Sequence, residues 1–170
     1  TKPKLSPSLY NSETGTVLHV FLDGSYDQKI FDDISTKWDQ LPELGSYFSE
    51  FKITFFNFPD SINFYRKGTP DKIEFCTKSG PNIFFLSVMK HCSQYEYTFQ
   101  MESDCIPLKA GWLDGADRLI KSDGENAWFH GPNYYGPTAI DSAYDLHING
   151  NGIYATGSNE FQTFLDNEYQ

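Results

Sequence analysis

The sequence predicts an α/β fold with a mixed, mainly parallel sheet flanked by helices in a single domain. Strand-like and helix-like segments alternate along most of the chain, which is the order typical of parallel α/β sheets. The length of 170 residues suits one domain with its own core. Ligands of such folds bind beyond the carboxyl ends of the strands, so the residues that follow each strand are the first candidates for a site.

The first strand and helix are predicted between residues 16 and 41. The strand is a β-branched and apolar run that Asp23 and Gly24 end. The helix carries apolar side chains at helical spacing, and Pro42 ends it.

The remaining elements follow the same alternation. A second strand ends at Pro59, and Gly80 with Pro81 opens a helix, because proline is harmless in a first helical turn. An aromatic-rich third strand begins at Tyr95. Beyond it the sequence predicts a helix over residues 110–121, strands over 126–131 and 146–157, and a helix over 159–166.

Two acidic residues follow the third strand. Glu102 and Asp104 are separated by one residue, and alternate residues of an extended chain point to the same side. Adjacent carboxylates favour a cation between them, and Mg²⁺ binds one or two carboxylates together with substrate phosphates. If the sheet is parallel, Asp23 and the loop after Asn57 converge on the same edge. Acidic residues are also common where they cap a following helix, so both interpretations stay open.

The composition argues against several classes of function. The formal charge is −10 and there is no basic run, which argues against binding of nucleic acid through positively charged side chains. The 3 cysteines show no C-x-x-C spacing, which indicates neither a zinc knuckle nor a disulfide-dense scaffold and leaves room for one disulfide. No apolar stretch is long enough to span a bilayer, so no membrane contact is predicted within this fragment. The 11 Tyr, 15 Phe and 3 Trp suit both a core and surfaces that stack on sugars or bases.

Several motifs resemble those of the nucleotide-sugar-dependent glycosyltransferases with the GT-A (Rossmann-like) fold. Glu102-Ser103-Asp104 resembles their DxD motif, with Glu in place of the first Asp. Residues 78–82 resemble the opening of the helix under the nucleotide, and residues 107–113 resemble a P-x-x-x-x-W-L run of eukaryotic algal and large-DNA-virus members. Residues 147–154 resemble the glycine-bearing acceptor loop of fringe-like transferases. The resemblance covers residues 16–165.

The resemblance implies transfer of a sugar from a UDP- or GDP-linked donor to a glycan or glycoprotein acceptor. Glu102 and Asp104 would hold Mn²⁺ or Mg²⁺. The other residues at the nucleotide would be Asp23, Lys78, Gly80, Asn82 and Ser103. Those at the donor or acceptor sugar would be Trp112, His130, Asn149, Gly150 and Asn151, with Gly152 letting the backbone approach the sugar.

The catalytic base has three candidates on the same resemblance. Inverting members place a carboxylate beyond the acceptor loop, which suggests Glu160, Asp141 or Asp145. The chain reads as a piece cut from a longer protein, with residues 1–15 as a linker or arm and a domain over 16–170 truncated at its C-terminus. The base is therefore also expected beyond Gln170. A cellular parent would act in the Golgi lumen through a membrane anchor outside this fragment, and a viral one in the host cytoplasm.

Two other functions remain open. The first is a non-catalytic carbohydrate-binding or inactive transferase-like module, with Ca²⁺ in place of Mn²⁺. It is favoured if no carboxylate faces the metal as a base. The second is another metal-dependent enzyme acting on a phosphate ester, which would need more clustered carboxylates or histidines than the sequence offers.

Overall fold

The computed structural model describes residues 6–8, 15–59, 79–103, 105–123, 127–131 and 151–168. These residues form four α-helices and five strands in two small sheets, which confirms the mixed α/β class. They group into two compact units, one of residues 10–88 and one of residues 1–9 with 89–170. Among the described residues, no helix is long and apolar enough to cross a membrane.

The unit of residues 10–88 contains a parallel strand pair. Strands β1 (Val17–Leu22) and β2 (Glu50–Phe55) align from Val17 opposite Glu50 to Leu22 opposite Phe55. Parallel neighbours need a crossover, and helix α1 (Gln28–Asp39) with a short 3₁₀ turn (Pro42–Ser46) supplies it. This strand–helix–strand order is the one predicted from the sequence.

Helix α1 is fixed at its start and on its inner face. The Asp27 carboxylate caps it by accepting a hydrogen bond from the Ile30 N–H at 3.1 Å. Near its end, the Trp38 ring stacks on Phe51 of β2 with centroids 4.6 Å apart. The crossover therefore packs onto the sheet through an aromatic pair.

Backbone bonds extend the β1–β2 pairing beyond both strands. The Phe56 N–H donates to the Leu22 carbonyl at 2.8 Å, and the Phe58 N–H donates to the Asp23 carbonyl at 3.0 Å. Between them Asn57 adopts a left-handed backbone with φ 53°, a conformation that asparagine tolerates better than most residues. The ends of β1 and β2 thus meet at one edge, as the sequence predicts.

Helix α2 (Ser79–His91) begins in this unit and ends in the other. Its Phe84 ring lies edge-on to Phe56 and Phe58, at centroid distances of 5.9 and 6.4 Å. An aromatic cluster therefore covers the chain where it leaves β2.

The second unit contains an antiparallel sheet. Strands β3 (Thr98–Gln100) and β4 (Phe129–His130) both pair antiparallel with the central β5 (Gly152–Tyr154). Parallel pairing in the described residues is confined to β1 and β2, so this unit differs from the mainly parallel sheet expected. The reason is that apolar periodicity reports which residues are extended, whereas strand direction depends on which distant segments become neighbours.

Two helices cover opposite faces of this sheet. Phe99 and Ile153 are directly opposed and share a face, and Phe99 meets Trp112 of α3 (Trp112–Asp123) at 5.9 Å. On the other face Tyr154 stacks on Phe161 of α4 (Asn159–Glu168) at 6.3 Å. The described core of the unit is concentrated around β5 and α4, at Met89, Cys92, Ile153, Tyr154, Ala155, Phe161 and Leu165.

A short N-terminal segment contacts the start of α3. The carbonyls of Ser6 and Pro7 accept hydrogen bonds from the N–H groups of Gly111 and Leu113, at 2.8 and 3.0 Å. Ser8 is buried and donates to the Asp114 carboxylate at 2.6 Å. Because the first N–H groups of a helix lack partners within it, these bonds tie residues 6–8 to the unit.

Candidate functional site

The acidic segment forms an exposed turn at the end of β3. The Glu102 N–H donates to Asn151 Oδ1 at 2.7 Å, and the Cys105 N–H donates to the Glu102 carbonyl at 3.0 Å. The side chains of Glu102 and Ser103 are exposed. The register explains the first bond, because Gln100 pairs with Gly152 and therefore places Asn151 beside the chain that leaves β3.

The described part of this turn carries one exposed carboxylate, that of Glu102. Carboxylate oxygens are the ligands that Mg²⁺ and Mn²⁺ prefer, and the Glu102 side chain is exposed at the turn. Asp104, the other predicted ligand, lies outside the described residues. Within the described part of the chain, no three His, Cys, Asp or Glu side chains group as a metal site. A cation held by Glu102 and Asp104 would therefore complete its shell with water or phosphate.

A cleft of about 370 Å³ lies beside the acidic turn. Its walls come from β3, β5, α3 and the segment after the turn, and they are mostly apolar. Phe99, Met101, Ile106 and Ile153 supply much of that apolar lining. The volume falls at the lower end of the range for small-ligand sites. Cys105 and Asn151 bring the polar groups.

Two residues predicted at the sugar, Trp112 and Asn151, line this cleft. Trp112 is half-buried and also packs against Phe99, so it both holds α3 on the sheet and forms a wall. Asn151 contributes its Oδ1 to Glu102 rather than leaving it for a sugar hydroxyl. The sequence placed these residues in one region but could not indicate the bond between them.

His130 lies on the same sheet face as the cleft wall. It is directly opposite Ile153 in the register of β4 and β5, and directly opposed residues share a face. The His130 carbonyl would be 2.9 Å from a Cβ added to Gly152. Gly152 is therefore required by the packing of β4 against β5, independently of any sugar.

Tyr154 is a neighbour of the acidic turn that the sequence analysis missed. Its hydroxyl would be 3.3 Å from a Cβ on Gly152, so the ring occupies the space that glycine leaves. Burial raises the pKa of Tyr154, and the negative charge of Glu102 raises it further. Residues two apart in a strand share a face. The G-x-Y spacing could therefore have predicted that the Tyr154 ring lies over Gly152.

Glu160 is the only candidate base within the described residues, and it participates in the cap of α4. Ser158 Oγ accepts the Phe161 N–H at 3.2 Å and donates to Glu160 Oε2 at 2.9 Å. A hydrogen bond from its own backbone N–H, followed by the one from Ser158, lowers the pKa of Glu160. Its role at the start of α4 is enough to explain why Glu160 is a carboxylate.

The predicted nucleotide residues of the first unit lie at two places. Asp23 follows β1 and is half-buried. Gly80 and Asn82 lie in the first turn of α2, and the Asn82 side chain is exposed. The remaining predicted site residues fall outside the described residues: Lys78, Asp104, Asp141, Asp145, Asn149 and Gly150.

Comparison with known proteins gives no match to a family model, a curated protein or a solved structure.

Proposed function

We propose that the protein is a metal-dependent glycosyltransferase of GT-A type, which moves a sugar from a UDP- or GDP-linked donor to a glycan or glycoprotein. The observation that carries this proposal is the acidic turn itself. The Glu102-Ser103 segment leaves β3 exposed, is bonded to Asn151, and borders a cleft of ligand size. The parallel strand–helix–strand unit of residues 17–55 also supports it.

In this function Glu102 and Asp104 would hold Mn²⁺ or Mg²⁺. When bound, the cation would neutralise charge on the leaving diphosphate. Ser103, exposed beside Glu102, would lie on the nucleotide side of the cation. The exposed Glu102 side chain reaches solvent without the cost of desolvation.

In this function the cleft would hold the sugar. Trp112 offers an aromatic wall, and flat rings suit the apolar faces of sugars. His130 lies on the sheet face that also forms the cleft wall.

The candidate bases within this sequence are Asp141, Asp145 and Glu160. Glu160 is the least suited of these, because a lowered pKa makes a carboxylate a weaker base near neutral pH.

One observation favours a non-catalytic carbohydrate-binding module as the second candidate. The cleft is walled by aromatic and aliphatic side chains, and this lining suits stacking on a sugar as well as it suits catalysis. Such a module would bind a glycan without needing a nucleotide.

The proposal is tested by thermal shift with nucleoside diphosphates, with and without Mn²⁺. A ligand that binds only the folded state at 100 times its Kd stabilises it by about 2.7 kcal/mol, a rise of roughly 5–10 °C for a chain of this size. We expect that rise only with Mn²⁺, and we expect Asp104→Asn to abolish it. Asp117→Asn, which removes an exposed partner of Lys121 on α3, is the matched control and should keep the shift.

The same assay separates the two candidates. A shift with oligosaccharides and none with any nucleoside diphosphate would replace the transferase by the binding module.

A further inference from the structure

Residues 6–8 form a strap that is bonded to the start of α3. The carbonyls of its first two residues accept the N–H groups of Gly111 and Leu113, at 2.8 and 3.0 Å. Those two N–H groups lie on either side of Trp112 in the chain, and the Trp112 side chain lines the cleft. The strap therefore holds the backbone of the residue that forms the aromatic wall of the cleft.

The third residue of the strap is attached through its side chain. Ser8 is 5% exposed and donates to the Asp114 carboxylate at 2.6 Å, across 106 residues of sequence. A second negative group at this buried position would face the Asp114 carboxylate at short range, where like charges repel strongly. The attachment of the strap therefore depends on the charge at one position.

Helix α3 forms one wall of the cleft from its first turn onward. Its lining residues are Trp112, Gly115, Ala116 and Leu119. The facing wall belongs to β3 and β5, which are paired with each other. Gly111, immediately before the helix, has a left-handed backbone with φ 70°, and glycine adopts many backbone conformations at little steric cost. The helix thus follows a residue of wide conformational freedom, and the strap bonds to that same residue.

We propose that the strap controls access to the cleft. While residues 6–8 are bonded to α3, the start of the helix is fixed and the cleft keeps its width. Release of the strap lets the start of α3 move away from the sheet and opens the cleft. This inference goes beyond the proposed function, because it concerns the cleft wall and requires neither a nucleotide nor a cation.

The test measures the rate at which iodoacetamide alkylates Cys105, which lines the cleft and is half-buried. Peptide mass spectrometry separates its modification from that of the other cysteines. Ser8→Asp places a second carboxylate against Asp114 and should raise the rate on the order of tenfold. Adding Asp114→Asn supplies an amide donor for the new carboxylate and should return the rate to within about twofold of the wild type.

Two measurements separate access to the cleft from general stability. Ser158→Ala removes the cap of α4, so it should lower the melting temperature and leave the Cys105 rate at the wild-type level. In NMR spectra, the indole N–H signal of Trp112 should shift in Ser8→Asp and return in the double variant. The signal of Trp38, which belongs to the other unit, should not move.

Acceleration by Ser8→Asp and its reversal by Asp114→Asn support the strap. An unchanged Cys105 rate in a folded Ser8→Asp variant overturns it, as does an acceleration that Asp114→Asn does not reverse or that Ser158→Ala equals. If Ser8→Asp does not fold, Ser8→Ala removes the hydroxyl without adding charge. A rise of about threefold in that variant supports the strap, and an unchanged rate overturns it. No nucleotide or Mn²⁺ enters these measurements, so the proposed function is tested separately.

Discussion

The two units end their strands in different ways. Beyond β1 and β2, backbone groups continue to pair, from Phe56 with Leu22 to Phe58 with Asp23. Beyond β3 the chain leaves the ladder, and the Glu102 N–H bonds to the Asn151 side chain instead. Hydrogen bonds between backbone groups depend little on residue type. A hydrogen bond to a side chain, by contrast, can be removed by one substitution. One substitution can therefore loosen the chain after β3 more easily than the chain after β1 and β2.

Asparagine appears at both strand ends with different backbone demands. Asn57 Oδ1 accepts the Tyr26 N–H at 2.8 Å, and its own φ is 53°. Asn151 makes the corresponding bond to Glu102 at 2.7 Å, and no positive φ is found for it among the described residues. Asn57 is thus suited to its position by its backbone conformation and its side-chain bond, whereas Asn151 is suited by its side-chain bond.

The largest effect on this comparison is expected from Gly152→Val. Its side chain would collide with the His130 carbonyl and meet the Tyr154 hydroxyl, so the antiparallel sheet should separate before the parallel pair does. We expect a loss of about 2–3 kcal/mol in the free energy of unfolding, measured by urea denaturation.

Gly115→Ala is the matched control for that substitution. A Cβ at Gly115 meets no atom within 4 Å, and the residue lies inside α3. Alanine should raise stability by about 0.5–1 kcal/mol. Equal stability of the Gly152→Val variant and the wild type would contradict the packing described for β4 and β5.

A smaller effect is expected from Asn57→Ala. Alanine loses the bond to Tyr26 and must adopt a left-handed backbone, at a cost of about 1–2 kcal/mol. Asn57→Gly should recover the backbone part, because glycine adopts positive φ without a steric penalty. Denaturant melts of the two variants measure the difference.

The smallest effect is expected from Glu160→Gln and depends on pH. Because the pKa of Glu160 is lowered in the folded protein, its ionised form stabilises the fold above the ordinary carboxylate pKa. That contribution is lost as the pH falls through the lowered value. The melting temperature of the variant should therefore lie slightly below that of the wild type near neutral pH and converge with it in acid.

The Ser158→Ala background provides the control for this pH effect. There the Ser158 bond to Glu160 is absent, so Glu160→Gln should change the melting temperature less. A constant difference between wild type and Glu160→Gln from about pH 2 to pH 7 would show that the carboxylate charge is not the cause.

Much of the first unit was predictable because its signals are local. Pro42 lies just beyond the end of α1, as the sequence predicts. The parallel pairing of β1 and β2 is consistent with the helical crossover predicted between them. The acidic segment after β3 was also evident, since an apolar run followed by Glu102 can be read directly.

The sequence did not indicate how the candidate site residues are arranged. Trp112 and Asn151 line one cleft as expected of neighbours, yet the Asn151 bond and the proximity of Tyr154 to Glu102 were not foreseen. These contacts join segments about 50 residues apart, and apolar periodicity carries no information about such pairings.

The amino-acid sequence by itself determined the class of the fold, the start of α4 and the position at which Glu102 follows a strand. These follow from caps, periodicity and turn residues, which act within a few positions of the chain. Only the tertiary structure decided that β3 and β4 run antiparallel to β5. The close packing of the His130 carbonyl against Gly152 and the hydrogen bond from the Glu102 N–H to Asn151 were decided in the same way. Those features depend on which distant segments pack against each other and bury apolar surface, and this depends on the packing of the whole unit.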